Sequence, residues 1–293
     1  VDGEHLTERY PGDLLALVEA YLEELDFEPD PRSVRLVEAM RYSLLAGGKR
    51  IRPVLTLATA RSLGADPASV LPAAAALELI HTYSLIHDDL PAIDDDTLRR
   101  GRPTCHVAFG EDIAILAGDA LFAEAFHVLV ARQEGSPAAV LAAVAEIARA
   151  TGVQGMVGGQ YMDVAGTVVA DDDLRTLHAL KTGRLIAAAV VCGAVLGGAD
   201  DADPYRAFAT ELGLLFQIVD DILDETGEEA ELGKSVGKDR AQQKMTYVSR
   251  FGVAVAERLA AEAYERALVR LDALPGDAAD LGAVTAYIRR RRR

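Results

Sequence analysis

Apolar residues recur along this chain at three- and four-residue spacings, and strictly alternating apolar and polar runs are absent. Alanine, leucine, glutamate and arginine fill the stretches between breakers, which favours helix throughout. The pattern predicts helices over roughly 11–26, 31–46, 50–63, 67–90, 108–132, 136–164, 171–197, 203–225 and 239–273, with a last one near 278–292. Pro29 and Pro31, Gly47-Gly48, Pro91, Gly101 to Pro103, Gly135 to Pro137, Gly197-Gly198, Gly227 and Pro275-Gly276 mark the joints. Asp66, Ser136 and Asp171 to Asp173 have the character of helix N-caps. Leu71 to Leu90 and Leu185 to Leu196 are apolar almost all round, so they belong at the centre with other helices packed about them. With no short repeat and no low-complexity linker, residues 1–293 are expected to form one all-α domain, a bundle of about ten helices around a central cavity.

Composition narrows the class. Half the residues are hydrophobic and 26% charged, as in globular proteins. Thirty basic against 46 acidic side chains give a net charge of −16, which repels nucleic acid and anionic membranes overall. Cys105 and Cys192 make neither a disulfide framework nor a zinc spacing, which suits a reducing compartment. The apolar stretches read as too interrupted or short for the roughly 20 residues of a membrane span, and no basic leader with an apolar core begins the chain. These features lead to the expectation of a cytoplasmic protein with no membrane span.

Two acidic clusters carry the chemistry. Asp88, Asp89, Asp94, Asp95 and Asp96 lie within nine residues, directly after a very apolar helix. Gln217, Asp220, Asp221 and Asp224 fall at i, i+3, i+4 and i+7 of a second one and so share a face. Carboxylates set into apolar sequence need cations, and oxygen-only donors suit Mg²⁺. Two such helices, far apart in sequence, would make facing walls across a bundle core. Cations follow or precede each: Gly47-Gly48-Lys49-Arg50-x-Arg52, Arg99-Arg100-Gly101-Arg102, Lys181-Thr182-Gly183-Arg184, then Gly233-Lys234, Lys238 and Lys244. Jointly they read as diphosphate recognition, arginine gripping oxygens in pairs and glycine admitting a close approach. A pocket with acidic walls, cationic clusters and apolar depths suits ionisation of an apolar diphosphate.

At these residues the chain resembles the trans-isoprenyl diphosphate synthases, the polyprenyl synthetase family, and most of all the bacterial farnesyl diphosphate synthases. Asp88-Asp89-x4-Asp94 with Arg99-Arg100 is similar to the family's first aspartate-rich motif, and Asp220-Asp221-x2-Asp224 to its second. Gly47-Gly48-Lys49-Arg50-x-Arg52-Pro53, His81, Gly159-Gln160-x2-Asp163, Lys181-Thr182-Gly183 and Gly233-Lys234 match its other blocks.

The resemblance implies a Mg²⁺-dependent enzyme condensing isopentenyl diphosphate with allylic diphosphates. Asp88 and Asp94 would hold two ions and Asp220 a third. Arg99, Lys181, Thr182, Gln217, Lys234 and Lys244 would contact the allylic substrate, and Lys49, Arg52, His81 and Arg100 the isopentenyl diphosphate. The released diphosphate would accept the proton, so no side-chain base is assigned. Tyr83, with Ser84 beside it, would floor the chain channel and stop growth at fifteen carbons, with twenty as the alternative. Tyr83 stands about 140° around the helix from Asp88, so an ordinary core aromatic is the competing role. A homodimer joined through the apolar helix around Ala114 to Val130 is expected. The competing classes are a terpene cyclase, which would lack the Lys49/Arg52 block, and a silent subunit, which would lack metal ligands. His87 reads as a packed histidine, Cys105-His106 supplies too few ligands for zinc, and the Arg289 to Arg293 run ends the chain as a solvated tail or an isopentenyl contact.

Overall fold

The two stretches that are apolar all round become the central helices. A computed structural model of the chain describes residues 10–27, 29–168, 170–226 and 245–291. In it α1 (Gly12–Glu24), α2 (Val34–Leu44), α3 (Ile51–Ser62) and α4 (Leu71–Asp88) precede a short α5 (Cys105–Phe109). Then come α6 (Glu111–Arg132), α7 (Pro137–Thr151), α8 (Met156–Val164), α9 (Asp171–His178), α10 (Arg184–Leu196) and α11 (Asp203–Thr226). The chain closes with α12 (Tyr247–Phe251), α13 (Val253–Asp272) and α14 (Ala279–Arg290). Leu185 to Ala194 of α10 is buried without a break, between α3, α7 and α11. Helix α4 lies against α6, and α11 against α13. The buried apolar side chains form a single cluster that touches nearly every helix.

The all-α expectation holds, with refinements of local origin. Asp66 and Ser136 cap as predicted, accepting from Ala68 N and Ala139 N. At α9 the cap is Ala170 instead, and Asp173 accepts from its backbone N at 2.8 Å, leaving Asp171 and Asp172 to complement the first turn. The predicted 136–164 helix breaks at Gly152–Gly155; of the predicted 239–273 helix, 239–244 lie outside the described residues and the rest divides at Gly252, whose φ is 79°. The 171–197 helix is continuous but passes through one π turn, Ala179–Gly183.

A two-stranded hairpin, Leu98–Arg99 with Arg102–Pro103, was not predicted. Its two-residue turn, Arg100-Gly101, has positive φ at both positions, which matches the twist of paired strands.

The apolar stretches are longer than the sequence pattern suggested. Four helical stretches, Pro67–Asp88, Glu111–Arg132, Pro137–Val164 and Asp171–Leu196, are long and apolar enough to cross a bilayer by length and composition. The first is 72% buried inside the bundle, which accounts for its apolarity through packing.

Candidate active site

The first acidic wall is made by a helix end folded back on itself. After α4 ends, Asp94 N donates to Asp88 O at 2.9 Å and Asp96 N to Asp89 O at 3.1 Å, drawing the acidic loop over the helix terminus. Asp89 is buried and gripped by Arg99 from the hairpin: Nε lies 2.8 and 2.9 Å from its two carboxylate oxygens and Nη2 lies 2.5 Å from Oδ1. A fork of this kind satisfies a buried charge. Asp88 has no such partner among the described residues. Burial pushes its pKa up to about 6, the neighbouring Asp94 and Asp89 push the same way, and Lys181 and Arg99 partly offset them.

The second wall is the α11 stripe, and its carboxylates also divide. Asp221 is buried, accepts from Gln217 Nε2 at 2.7 Å and from Tyr247 N at 2.7 Å, and so fastens the start of α12 to α11. Asp224 is buried beside it. Asp220 is the open one, its side chain 37% exposed and paired with Arg291 from the end of the chain. Arg291 also lies over the Phe216 ring, 4.9 Å from its centroid.

Lys181 is anchored on a third carboxylate, Asp163. It sits in the π turn, a distortion found often at functional sites. Its Nζ is 2.5 Å from Asp163 Oδ2, and its charge acts on Asp88 of the first wall and on His178, which in turn feels Asp220 of the second. Gly159 makes this possible, because a Cβ there would collide with the Lys181 backbone. Thr182 lies on the same turn.

Beside the walls stands a cationic corner. His81 is held neutral by burial and by Arg52, Arg100, Arg99 and Arg50 around it. Arg52 has a buried Nε without a hydrogen-bond partner, and burial, with Arg291 and Arg100 nearby, lowers its pKa to about 10. Such a corner is built for an anion. Arg50 belongs to the frame: it binds Glu19 at 2.8 Å, Glu78 at 2.6 Å and Leu44 O at 2.8 Å, with positive φ. The glycine pair has a different task from the one expected. Arg100 donates to Gly47 O, and a Cβ at Gly48 would lie 2.8 Å from the Arg100 guanidinium, so the pair cradles an arginine. Lys49 is exposed, with Nζ 5.9 Å from the centre of the Tyr287 ring.

Tyr83 is buried and meets Phe122 of α6 and His87 edge-on, at 5.2 and 5.8 Å between ring centres. His87 contacts Ile115 O at 3.1 Å, consistent with a packed histidine. Ser84 bonds back to His81 O at 2.9 Å. Lys234, Lys238 and Lys244 lie outside the described residues, as do Arg292 and Arg293.

Among the described residues no three His, Cys, Asp or Glu side chains converge tightly enough to cage a metal ion. Mg²⁺ binds through one or two carboxylates and completes its shell with water and substrate phosphates. An all-oxygen donor set that includes the half-buried Asp88, its charge only partly offset by Lys181 and Arg99, fits the ion. Three participants were not assigned by their own signals. Arg291 was lost in a run of arginines, His178 has no motif, and Asp163 was legible only as part of the Gly159-Gln160-x2-Asp163 block, with no role attached.

A polyprenyl synthetase family model matches residues 33–272. Geranylgeranyl pyrophosphate synthase of Capsicum annuum, named as chloroplastic, is 48% identical over 86% of this chain and 70% of its own length. A geranylgeranyl diphosphate synthase of Cyanophora paradoxa is 48% identical over 80% of this chain and 81% of its own. Among solved structures, a geranyltransferase of Helicobacter pylori, described as complexed with magnesium and isoprenyl diphosphate, has a TM-score of 0.86. It is 32% identical and covers 94% of both chains. The expectation of a cytoplasmic protein is overturned by these comparisons, since several relatives at 46–48% identity are named as chloroplastic enzymes.

Proposed function

Because the chain belongs to the polyprenyl synthetase family and is a prenyltransferase, we propose that it elongates allylic diphosphates with isopentenyl diphosphate, in Mg²⁺, as far as geranylgeranyl diphosphate. The observation that carries the reading is the set of two acidic helices, with the π turn of Lys181 packed on α11 and anchored on Asp163, beside a cationic corner of Arg52, Arg100 and His81. Residues 1–293 would work as one domain.

Asp88, Asp94 and Asp220 would hold the magnesium, three ions in all, which when bound neutralises the diphosphate as it leaves. Lys181, with Thr182, Gln217, Lys234 and Lys244, would bind that same allylic diphosphate. Arg99 joins them, though its Nε and Nη2 are committed to Asp89. Arg52, Lys49, Arg100 and His81 would seat the isopentenyl diphosphate. The allylic C–O bond breaks, the isopentenyl double bond attacks C1, and a proton leaves the adduct for the released diphosphate. His81 is a poor acceptor, because burial first and its arginine neighbours second resist a further positive charge.

The fifteen-carbon expectation gives way to its alternative. Relatives at 46–48% identity are named as geranylgeranyl synthases, whereas the geranyltransferase structure is only 32% identical. The Tyr83 ring engages Phe122 of α6, which supports core packing over a floor to the chain channel. Helix α6 leaves Ile115, Leu116, Phe122 and Val130 exposed, and a second copy of the chain would cover them. One relative is named as a heterodimeric large subunit, so light scattering, with a doubled mass expected, tests that pairing.

Product chromatography tests the function. With Mg²⁺, isopentenyl diphosphate and five-, ten- or fifteen-carbon primers in separate reactions, each primer should yield the twenty-carbon product. Arrest at fifteen carbons would overturn the chain length, and no condensation with any primer would overturn the reaction.

A further inference from the structure

A cavity of about 540 Å³ lies between α10, α11 and α13, behind the second acidic wall: Tyr247, which lines it, gives its N–H to Asp221 at 2.7 Å. No aspartate of either wall lines it, and neither does Lys181. Its floor is apolar, with Ala187, Leu214, Ile218 and Leu259. Four arginines line it, and they are not equivalent. Arg206 is held by Glu146 at 2.7 Å and Arg266 by Glu211 at 2.8 Å, whereas Arg175 and Arg184 form no ion pair among the described residues. In a chain of net charge −16, a cavity lined by four arginines against two glutamates, Glu211 and Glu262, two of the arginines exposed and without an ion pair among the described residues, is a local exception.

Two buried polar atoms add an independent sign. Among the described residues Tyr247 Oη has no hydrogen-bond partner, and His178 Nε2 has only the Asp221 carboxylate, 3.8 Å away; both residues line the cavity, their rings stacked at 5.3 Å. A buried donor left unmade is costly unless a ligand or water completes it. We propose that this cavity is a binding site for an amphipathic anion, a phosphate or phosphate-like head on an apolar chain. Arg175, Arg184 and the Tyr247 hydroxyl take the head, and the Leu214, Ile218 and Leu259 floor takes the chain. The volume falls in the range of small-molecule pockets.

The site also touches the reaction. The π turn contributes Ala179 and Gly183 to this cavity and Lys181 to the acidic walls. Helix α11 presses on the same turn, since a Cβ at Gly213 would lie 2.9 Å from Gly183 Cα. A ligand here therefore sits against the segment that positions Lys181.

The chain has no tryptophan, so Thr210→Trp at the exposed rim places one reporter at the cavity. Dodecyl phosphate, titrated below its aggregation range, should change the emission saturably and bind at least about tenfold more tightly than inorganic phosphate or dodecanol. Arg175→Gln with Arg184→Gln, both at exposed positions, should weaken it by about tenfold or more. Arg52→Ala, at the acidic walls, should leave the affinity unchanged. Equal binding of phosphate or dodecanol alone would overturn the assignment. So would an affinity lost in Arg52→Ala yet kept in the double arginine variant. The titration needs no turnover, so its outcome is separate from that of the product assay.

Discussion

The two acidic walls have similar sequences and different constructions. In each, adjacent aspartates diverge: the second of the pair is buried and bonded to the frame, and the first is left to the cleft. Asp89 is gripped by Arg99 from a hairpin, and Asp221 fastens Tyr247 N at the head of α12. Asp88 and Asp220 are the members left over. The difference lies in what neutralises them. Asp88 feels Lys181, itself anchored on Asp163, whereas Asp220 is paired with Arg291 at the end of the chain. The first wall is thus a loop locked by a buried ion pair. The second is a rigid helix whose open carboxylate is covered by a removable cation.

Removing the open carboxylates should have the largest effect. Asp88→Ala and Asp220→Ala should each lower kcat by about 10²–10³, the usual loss when a preorganised charge-stabilising group is deleted. Circular dichroism should stay unchanged. Equal activity in either would end the division of labour between the paired aspartates.

Stability should separate the walls next. Arg99→Leu leaves Asp89 buried without a partner and should cost about 3 kcal/mol in urea unfolding. Asp221→Asn, which weakens one charge-assisted bond to a backbone N–H, should cost about 1 kcal/mol. A larger cost for Asp221→Asn would reverse the comparison.

Between these falls a pH effect. His178 is buried, and burial with the nearby Lys181 lowers its pKa to about 4. A histidine whose folded pKa is depressed stays neutral in the native state while the unfolded chain takes up a proton. Stability is therefore lost as pH falls from about 6.5 toward 4, by about 2 kcal/mol at pH 5. The stability difference between His178→Gln and the parent protein should shift by that amount from pH 7.5 to 5. A constant difference would show that the histidine does not titrate in this way.

The smallest effect on folding should come from Arg291→Ala, within about 0.5 kcal/mol, because the pair is partly exposed. Its effect on metal binding should be larger. Mn²⁺ affinity, followed by electron paramagnetic resonance, should rise severalfold once Asp220 is released. An unchanged affinity would mean that Arg291 does not compete for that carboxylate.

The helices were legible because packing and periodicity agree along most of the chain, and the acid stripe of α11 because helical spacing is fixed. The frame roles of Asp89, Asp221 and Arg50 were not legible. Each depends on a partner 10 to 31 residues away, brought near by turns and by a hairpin that local pattern does not announce. Gly48 misled for a related reason: spacing shows that something approaches closely, and not whether it is a phosphate or Arg100. Tyr83 could not be assigned from α4 alone, since Phe122 on α6 decides which way its ring packs.

Anomalous diffraction from crystals grown with Mn²⁺ and an allylic thiodiphosphate tests the central division most directly. Manganese should lie on Asp88, Asp94 and Asp220, with Asp89 still on Arg99, Asp221 still on Tyr247 N, and Arg291 displaced. Manganese coordinated by Asp89 or Asp221, with those frame bonds broken, would contradict the account.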